Sequence, residues 1–285
     1  MFLGVSTMIW EKSGRGLADS LKAIADMGFR HIDIAGTRSA DPTKLSKQDR
    51  GAAVTMVKDL GLSVNGMVLL EADDIATPDS ENRRRQMEFA KQSARFMVEL
   101  GGEHLLVGLG CGSVAMSTGA ITAWVNSSTF LGEYCEWLQR EGITLPVLLE
   151  FDPAVFYVVR DTISLDRMLC DVGRQNLFAN IDVGHMNVTR EMPAAMWKLK
   201  DRILHVHLSD NDGRDDAHQA LGRGNAPIKQ FVDELVRMDL DSTCSRHGVT
   251  PVATIELGER KESDPEVAVR LSIEYLERNG IRLEK

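Results

Sequence analysis

Short apolar runs alternate with amphipathic segments along the whole chain. The runs are rich in β-branched residues, which is typical of buried strands. The segments between them carry apolar residues at helical spacing, as Leu17, Leu21 and Ile24 do, and many stop at a glycine. The pattern predicts strands at residues 2–7, 29–34, 62–70 and 104–109, followed by strands that end at Glu150, Asp182, His207 and Glu256.

The same pattern predicts a helix after each strand. Strands that alternate with helices indicate a parallel sheet, and no composition break marks a linker. Eight such units favour closure into a single (β/α)8 TIM barrel, one α/β domain that spans residues 1–285. The alternative is an open doubly wound sheet, which binds ligands mainly at one switch point. The predicted helices cover residues 13–27, 42–60, 77–100, 129–140, 163–172, 193–200, 227–238 and 264–278.

Four successive strands end in residue types that bind metal ions. These residues are Glu150, Asp182, His207 and Glu256, and the residues before them are Leu149, Ile181, Val206 and Ile255. Because side chains alternate faces along a strand, the apolar residues are expected to pack under helices while the polar ones point to the barrel axis. A single polar residue at a strand end needs no function. The shared parity of all four predicts one site at the C-terminal face, where such barrels place their active sites.

Three carboxylates and one imidazole make a hard, oxygen-rich ligand set. Such a set suits one divalent ion, Mn²⁺, Mg²⁺ or Co²⁺, and also accepts Zn²⁺. The expected reaction is removal of a proton next to a carbonyl, through an enediolate that the ion stabilises. Glu150 and Glu256 come from strands separated by two others, so they are expected to flank the substrate as the catalytic pair. One would take the proton and the other would return it.

Composition narrows the classes of partner. The 285 residues are 43% hydrophobic and carry a formal net charge of -9, so the basic footprint of a nucleic-acid-binding protein is missing. The first residues do not form a signal-peptide pattern, and no run of about 18 apolar residues predicts a membrane span. The cysteines Cys111, Cys135, Cys170 and Cys244 form no C-x-x-C pair, which favours reduced thiols in the cytoplasm.

Motifs in the second half of the chain resemble those of a known family. They are Leu149-Glu150-Phe151, Ile181-Asp182-Val183-Gly184-His185, the H-x-H segment His205-Val206-His207 with the residues to Asp212, His218 with Leu221-Gly222-Arg223-Gly224, and Ile255-Glu256. Together they resemble the xylose isomerase-like TIM-barrel superfamily. The most similar branch is the sugar isomerases and epimerases, such as ketose 3-epimerases and hydroxypyruvate isomerase-like proteins.

The resemblance implies an activity and a set of site residues. The activity is that of a metal-dependent isomerase or epimerase on a small sugar or keto-sugar. The metal site would be the four residues that end strands five to eight. His185 matches the substrate-contacting histidine of the family, and Arg214 is the nearest match to the substrate-binding arginine of ketose 3-epimerases. Asp216 and His218 lie in a charged loop; the resemblance implies a substrate or lid role for them, with a simply solvated loop as the alternative.

Two further residues are candidates by position alone. Trp10 follows the first strand and is expected to line the pocket as a flat apolar wall, with packing on a rim loop as the alternative. His205 shares the inward parity of His207 but lies one layer deeper, so we expect it to support the ligands or to pack in the barrel.

Other activities on this scaffold stay open. A dehydratase or lyase on a keto-sugar or cyclic polyol would use the same proton abstraction and then expel a β-hydroxyl. An apurinic-endonuclease-like metal hydrolase shares the H-x-H and Asp216-x-His218 spacings. The negative charge argues against it, as do His31 and His104 at the starts of their strands. A non-catalytic subunit would lack metal under any condition. The sequence does not reveal the sugar, and a homo-oligomer is compatible with it.

Overall fold

Eight parallel strands close into one barrel in the computed structural model, which describes residues 1–107, 119–258 and 264–285. Each strand pairs with the next one along the chain, and the last pairs with the first. The predicted (β/α)8 TIM barrel is therefore confirmed, and the open sheet is wrong. The strands are β1 (Phe2–Ser6), β2 (His31–Ala35), β3 (Ser63–Val68), β4 (His104–Val107), β5 (Val147–Leu149), β6 (Leu177–Asp182), β7 (Ile203–Leu208) and β8 (Val252–Ile255).

Helices alternate with the strands along the chain and cover the outside of the barrel. They are α1 (Met8–Lys12), α2 (Leu17–Asp26), α3 (Lys47–Asp59), α4 (Ser80–Leu100), α5 (Ala120–Arg140), α6 (Thr162–Val172), α7 (Val183–Val188), α8 (Ile228–Arg237), α9 (Leu240–Arg246) and α10 (Pro265–Arg278). The segments Arg38–Ala40 and Pro193–Leu199 are 3₁₀ helices. Within the described ranges, no helix is both long and apolar enough to span a bilayer.

The sequence pattern misses the short helices α1, α7 and α9. It also places the start of α5 too late and assigns a regular helix where the 3₁₀ helix Pro193–Leu199 forms. Short helices escape a periodicity search because they show too few turns of apolar spacing. The predicted end of the fourth strand at residue 109 and the thiol of Cys111 lie outside the described residues. Cys135, Cys170 and Cys244 are free cysteines.

Two shifts in strand register determine which side chains meet inside the barrel. In the β2–β3 pair, Ile32 lies beside Val64 but Asp33 lies beside Gly66, so Asn65 is an extra residue in β3. A corresponding shift between β6 and β7 brings Asp182 level with His207. Such bulges re-aim side chains and are frequent beside active sites.

The strand residues predicted to face outward are in the hydrophobic core. Leu149, Ile181, Val206 and Ile255 have no exposed surface and belong to one cluster of buried apolar residues. Their burial leaves the alternate positions of the same strands for polar side chains inside the barrel. The alternation read from the sequence therefore corresponds to the packing in the structure.

Candidate active site

A cavity of about 330 Å³ opens where the strands end. One part of its wall follows β5, β6, β7 and β8 and includes Glu150, His185, Asp216, His218 and Glu256. These residues come from distant parts of the sequence, and the closed barrel alone brings them together. The cavity therefore lies at the C-terminal face, where the sequence places the site.

Three of the four predicted metal ligands form one tight group on the cavity floor. Nδ1 of His207 lies 3.0 Å from Oε2 of Glu256 and 3.3 Å from Oε1 of Glu150. One candidate ligand atom from each residue lies within 4.8 Å of those of the other two, and all three residues are buried. The Nδ1 contacts are close, yet Nδ1 makes no hydrogen bond among the described residues. The two glutamates thus flank one imidazole nitrogen without being bonded to it.

Asp182 uses its two carboxylate oxygens for different purposes. Oδ1 accepts hydrogen bonds from the backbone N–H groups of Gly184 and His185 and from Oγ of Ser209. The backbone bonds cap α7, which is why a helix starts directly after β6. Oδ2 is buried and has no hydrogen bond in the described part of the chain. Asp182 is grouped with His185 and His218, not with the three residues on the floor.

His185 lies in α7, a short helix that the sequence pattern does not predict. Its ring is held at both ends, with Nδ1 2.7 Å from the carbonyl oxygen of Phe151 and Nε2 3.1 Å from Oδ2 of Asp216. Nε2 of His218 lies 3.0 Å from the same oxygen of Asp216. His218 also has a left-handed backbone with φ of 44°, a strained conformation for a residue with a side chain. The three side chains form a closed polar cluster at the cavity wall.

Electrostatics at the cavity favour charged imidazoles beside carboxylates. Burial alone would lower the pKa of His185, but Asp216 and Asp182 raise it well above its ordinary value. Burial likewise opposes the charge on His218, yet Asp216 raises its pKa to about 9. Burial would raise the pKa of Glu256, but the charge of the nearby His207 lowers it to about 2. Glu256 is therefore a carboxylate at neutral pH.

The part of the wall after β1, β2 and β3 has a different composition. Apolar side chains of Met8, Val68 and Leu70 line it, together with the long cations Lys12 and Arg38. A wall of this kind gives a small ligand an apolar surface and a few polar anchors, as binding pockets generally do. None of these five residues carries a carboxylate or an imidazole that could bind a metal ion.

Trp10 does not line the cavity, and this prediction is wrong. The residue lies in α1, its side chain is fully buried, and its Nε1 donates to Oε1 of Glu266, 3.2 Å away. On a helix, residues three and four apart share a face. Met8, Glu11 and Lys12 therefore face the cavity together, and Trp10 points into the core. The error follows from missing the short helix α1.

Arg214 lies outside the described lining of the cavity. Its side chain is 86% exposed, and its Nε lies 3.8 Å from Oδ2 of Asp212. An exposed ion pair of this length holds a side chain only weakly. In this structure, Arg214 does not reach the site, so its predicted contact with a substrate would need the loop to move.

The deeper layer of the barrel contains two polar residues that the sequence analysis did not select. Nδ2 of Asn180 donates to Oε1 of Glu150 over 2.6 Å. Asp33 accepts from Nε2 of His205 over 2.7 Å, which places His205 below the ligands as expected. Asp33 lies between Ile32 and Ile34, and Asn180 lies two residues before Asp182 and therefore on the same face of its strand. The parity rule that selected Glu150 would have found both had it been applied along the whole strand.

The donor atoms that lack partners fit a divalent cation. Oδ2 of Asp182, Nδ1 of His207 and Oε1 of Glu256 are buried and have no hydrogen bond from any described residue. A buried polar atom without a partner costs about 1–3 kcal/mol, and more when it is charged. Carboxylate oxygens and an imidazole nitrogen are ligands for Mn²⁺, Mg²⁺, Co²⁺ and Zn²⁺. A cation beside His207 and Glu256 would satisfy groups that the protein leaves unpaired, whereas Oδ2 of Asp182 lies in the neighbouring group with His185 and His218.

Comparisons with known proteins point to one family. A family model described as xylose isomerase-like TIM barrel matches residues 21–278. Fructoselysine 3-epimerase of Escherichia coli O157:H7 is 23% identical over 197 residues, which is 69% of this chain and 67% of that protein. The crystal structure of a D-tagatose 3-epimerase-like protein has a TM-score of 0.79 at 21% identity and covers 98% of both chains. The structure of the IolI protein with a bound zinc atom has a TM-score of 0.79 at 14% identity over 99% of this chain and 98% of that chain. At these identities, the structural likeness shows the fold.

Proposed function

The chain belongs to the xylose isomerase-like TIM-barrel family, and we propose that it is a divalent-metal-dependent epimerase or isomerase of a small ketose or keto-sugar. The matched relatives include a sugar 3-epimerase, which supports this class of substrate. The observation that carries the proposal is the pair of buried glutamates, Glu150 and Glu256, on either side of Nδ1 of His207 at the cavity floor. Two carboxylates at one small cavity are what a reversible proton transfer at carbon requires.

The two glutamates are the proposed proton carriers. One takes the proton from the carbon next to the substrate carbonyl, and the negative charge that remains spreads over the carbonyl and its neighbour. The other glutamate returns a proton. Return to the opposite face of the same carbon gives an epimer. Return to the neighbouring carbon gives an isomer, provided that the hydroxyl proton also moves to the former carbonyl oxygen. The hydrogen bond from Asn180 fixes the orientation of Glu150.

The proposed metal ligands are Glu150, Asp182, His207 and Glu256. The unpaired atoms of the last three support this assignment, and Oδ1 of Asp182 stays engaged in capping α7. A bound divalent cation would supply positive charge that stabilises the negatively charged substrate oxygens. The structure of the IolI protein with a bound zinc atom is compatible with a metal ion in this fold. For this chain we propose Mn²⁺, Mg²⁺, Co²⁺ or Zn²⁺.

Substrate binding is proposed to involve the rest of the cavity wall. His185 and His218 line the wall, where a substrate oxygen would have to displace the carboxylate of Asp216 to accept from either Nε2. The apolar side chains after β1 and β3 would contact the carbon chain of the sugar. A cavity of about 330 Å³ is at the small end of the range for ligand sites, which favours a monosaccharide-sized molecule.

The test combines metal analysis with a product screen. The purified protein is loaded separately with Mn²⁺, Mg²⁺, Co²⁺ and Zn²⁺, and each form is incubated with a panel of ketoses and keto-sugars. We expect about one bound ion per chain and, for at least one substrate, a product of unchanged mass with altered configuration or carbonyl position. A product lighter by one water would instead identify a dehydratase. A chain that binds none of these ions and converts none of these sugars would contradict the proposal.

A further inference from the structure

Asp33 is a buried charge beneath the proposed metal site. It lies in the middle of β2, between Ile32 and Ile34, and is 1% exposed. An ionised carboxylate in a barrel interior is strongly destabilising unless other groups pair with it. Neither the proposed proton transfer nor the proposed ligand set uses this residue. The contacts of Asp33 with its neighbours therefore have to explain why a charged side chain is buried here.

Asp33 contacts the two histidines of the H-x-H segment from across the barrel. Oδ2 lies 2.7 Å from Nε2 of His205 and 3.4 Å from Nε2 of His207. Nε2 of His207 makes no hydrogen bond within the described ranges, so Asp33 is the charged acceptor that faces it. The distance of 3.4 Å is long for a hydrogen bond, and polar contacts in ligand-free sites often tighten when the ligand binds.

The backbone is shaped to hold the other oxygen of Asp33. The N–H of Gly66 donates to Oδ1 over 2.8 Å, at the point where the bulge in β3 brings Gly66 beside Asp33. A Cβ atom on Gly66 would lie 3.0 Å from Oδ1 and 2.4 Å from Nε2 of His104. A glycine is therefore needed for this close approach. The bulge, the glycine and His205 together fix the carboxylate so that Oδ2 faces His207.

We propose that Asp33 is a positioning residue that accepts the Nε2–H of His207 and so directs the lone pair of Nδ1 to the proposed metal. This inference rests on the proposed function. In the structure, Nδ1 of His207 faces Glu150 and Glu256, and both carboxylates favour a proton on that nitrogen. A proton on Nδ1 would block ligation. Asp33 on the other edge of the ring favours the tautomer with the proton on Nε2, the arrangement in which a ligating histidine donates its second N–H to a carboxylate.

Asp33→Asn tests this role with little change in shape. The amide oxygen can still accept from Gly66, but the amide NH₂ then faces the two histidines and requires an acceptor on Nε2 of His207. The proton is thereby moved to Nδ1. We expect the dissociation constant for Mn²⁺ or Zn²⁺, measured by competition with a chromogenic chelator, to rise about 10- to 100-fold.

Asp41→Asn is the matched control. Asp41 is also buried, at 2% exposed, but its carboxylate binds Thr43 and Lys44, and no hydrogen bond or ion pair joins it to a histidine in the described part of the chain. We expect this variant to keep the wild-type metal affinity. A wild-type chain that binds neither ion would contradict the proposed function itself. Wild-type affinity in a folded Asp33→Asn variant would overturn the positioning role alone and leave the proposed function intact.

A measurement on the wild-type protein covers the case in which Asp33→Asn does not fold. In the Zn²⁺-loaded protein with labelled histidine, NMR should show the proton of His207 on Nε2, shifted downfield by a hydrogen bond to a carboxylate. A Nε2–H resonance at the position of an unbonded imidazole would overturn the proposal.

Discussion

Two equally buried glutamates line the cavity in different halves of the barrel, and their surroundings shift their pKa values in opposite directions. Glu11 follows β1 and Glu256 follows β8, and each is 2% exposed. Burial raises the pKa of Glu11, since Ser39 and Arg38 oppose it only in part. Burial acts in the same direction on Glu256, but His207 lowers its pKa to about 2. The neighbours of a buried carboxylate, and not its burial alone, therefore set the direction in which its pKa shifts.

The same contrast holds for the two halves of the wall as a whole. Residues after β5 to β8 contribute carboxylates and imidazoles whose buried atoms are partly unpaired. Residues after β1 to β3 contribute apolar surface and the cations Lys12 and Arg38. We infer that the second half performs the chemistry and that the first half holds the substrate. Asp33 qualifies this division, because it belongs to the first half and is proposed to act through His207.

The largest expected effect is the loss of a proton carrier. Glu150→Gln and Glu256→Gln should each lower kcat by about 10³–10⁴-fold, because general acid–base catalysis contributes on the order of 10²–10⁴ and each variant also loses a proposed ligand charge. Glu11→Gln is the control from the first half and should change kcat less than about tenfold. Steady-state kinetics on the three variants tests the division. Equal losses of kcat in Glu11→Gln and Glu256→Gln would contradict the division of the cavity wall into a catalytic half and a substrate-binding half.

The second effect in size concerns His185. His185→Gln should lower kcat by about 10²–10³-fold, as removal of a donor to a charged transition state does, with metal content unchanged. The structure adds a condition, since both ring nitrogens already have protein partners and a substrate oxygen must displace Asp216. Metal analysis and kinetics are measured on the same sample. Loss of metal with His185 would make it a ligand, and full activity would make it a structural residue.

Asp182→Asn should weaken metal binding without unfolding α7. The amide oxygen can still accept from Gly184 and His185 and so retains the helix cap, while the charge on the second oxygen is lost. We expect the metal dissociation constant to rise by at least about tenfold and the helical circular dichroism signal to stay the same. Unchanged metal affinity would place Asp182 outside the ligand set and leave it as a cap.

The sequence predicted the second half of the site better than the first. The pattern selects Glu150, Asp182, His207 and Glu256 because each lies at the end of a predicted apolar strand, where parity and position set the direction of the side chain. The structure brings Glu150, His207 and Glu256 together. Trp10 is misplaced because the five residues of α1 are too few to show a helical period. Asp33 is missed because it lies inside a strand, and because the bulge that brings Gly66 beside it leaves no trace in the pattern.

The smallest expected effect is at Arg214. This residue belongs to the second half in sequence, but its exposed side chain does not line the described cavity. Arg214→Ala should therefore leave kcat/KM within about twofold of wild type. The substitution should also leave the fold intact, because changes to exposed side chains usually alter stability very little. A loss of tenfold or more would show that the loop carries Arg214 to the substrate and would restore the sequence-based prediction.

The exchange of solvent hydrogen tests the central claim most directly. A ketose that the metal-loaded protein converts is incubated in deuterated water, and the product is analysed by NMR and mass spectrometry. Because Glu150 and Glu256 are proposed to pass a proton through a carboxyl group, the product should carry one deuterium on the carbon that changes. A product that carries no solvent deuterium after many turnovers would contradict proton transfer by these glutamates and point to hydride transfer.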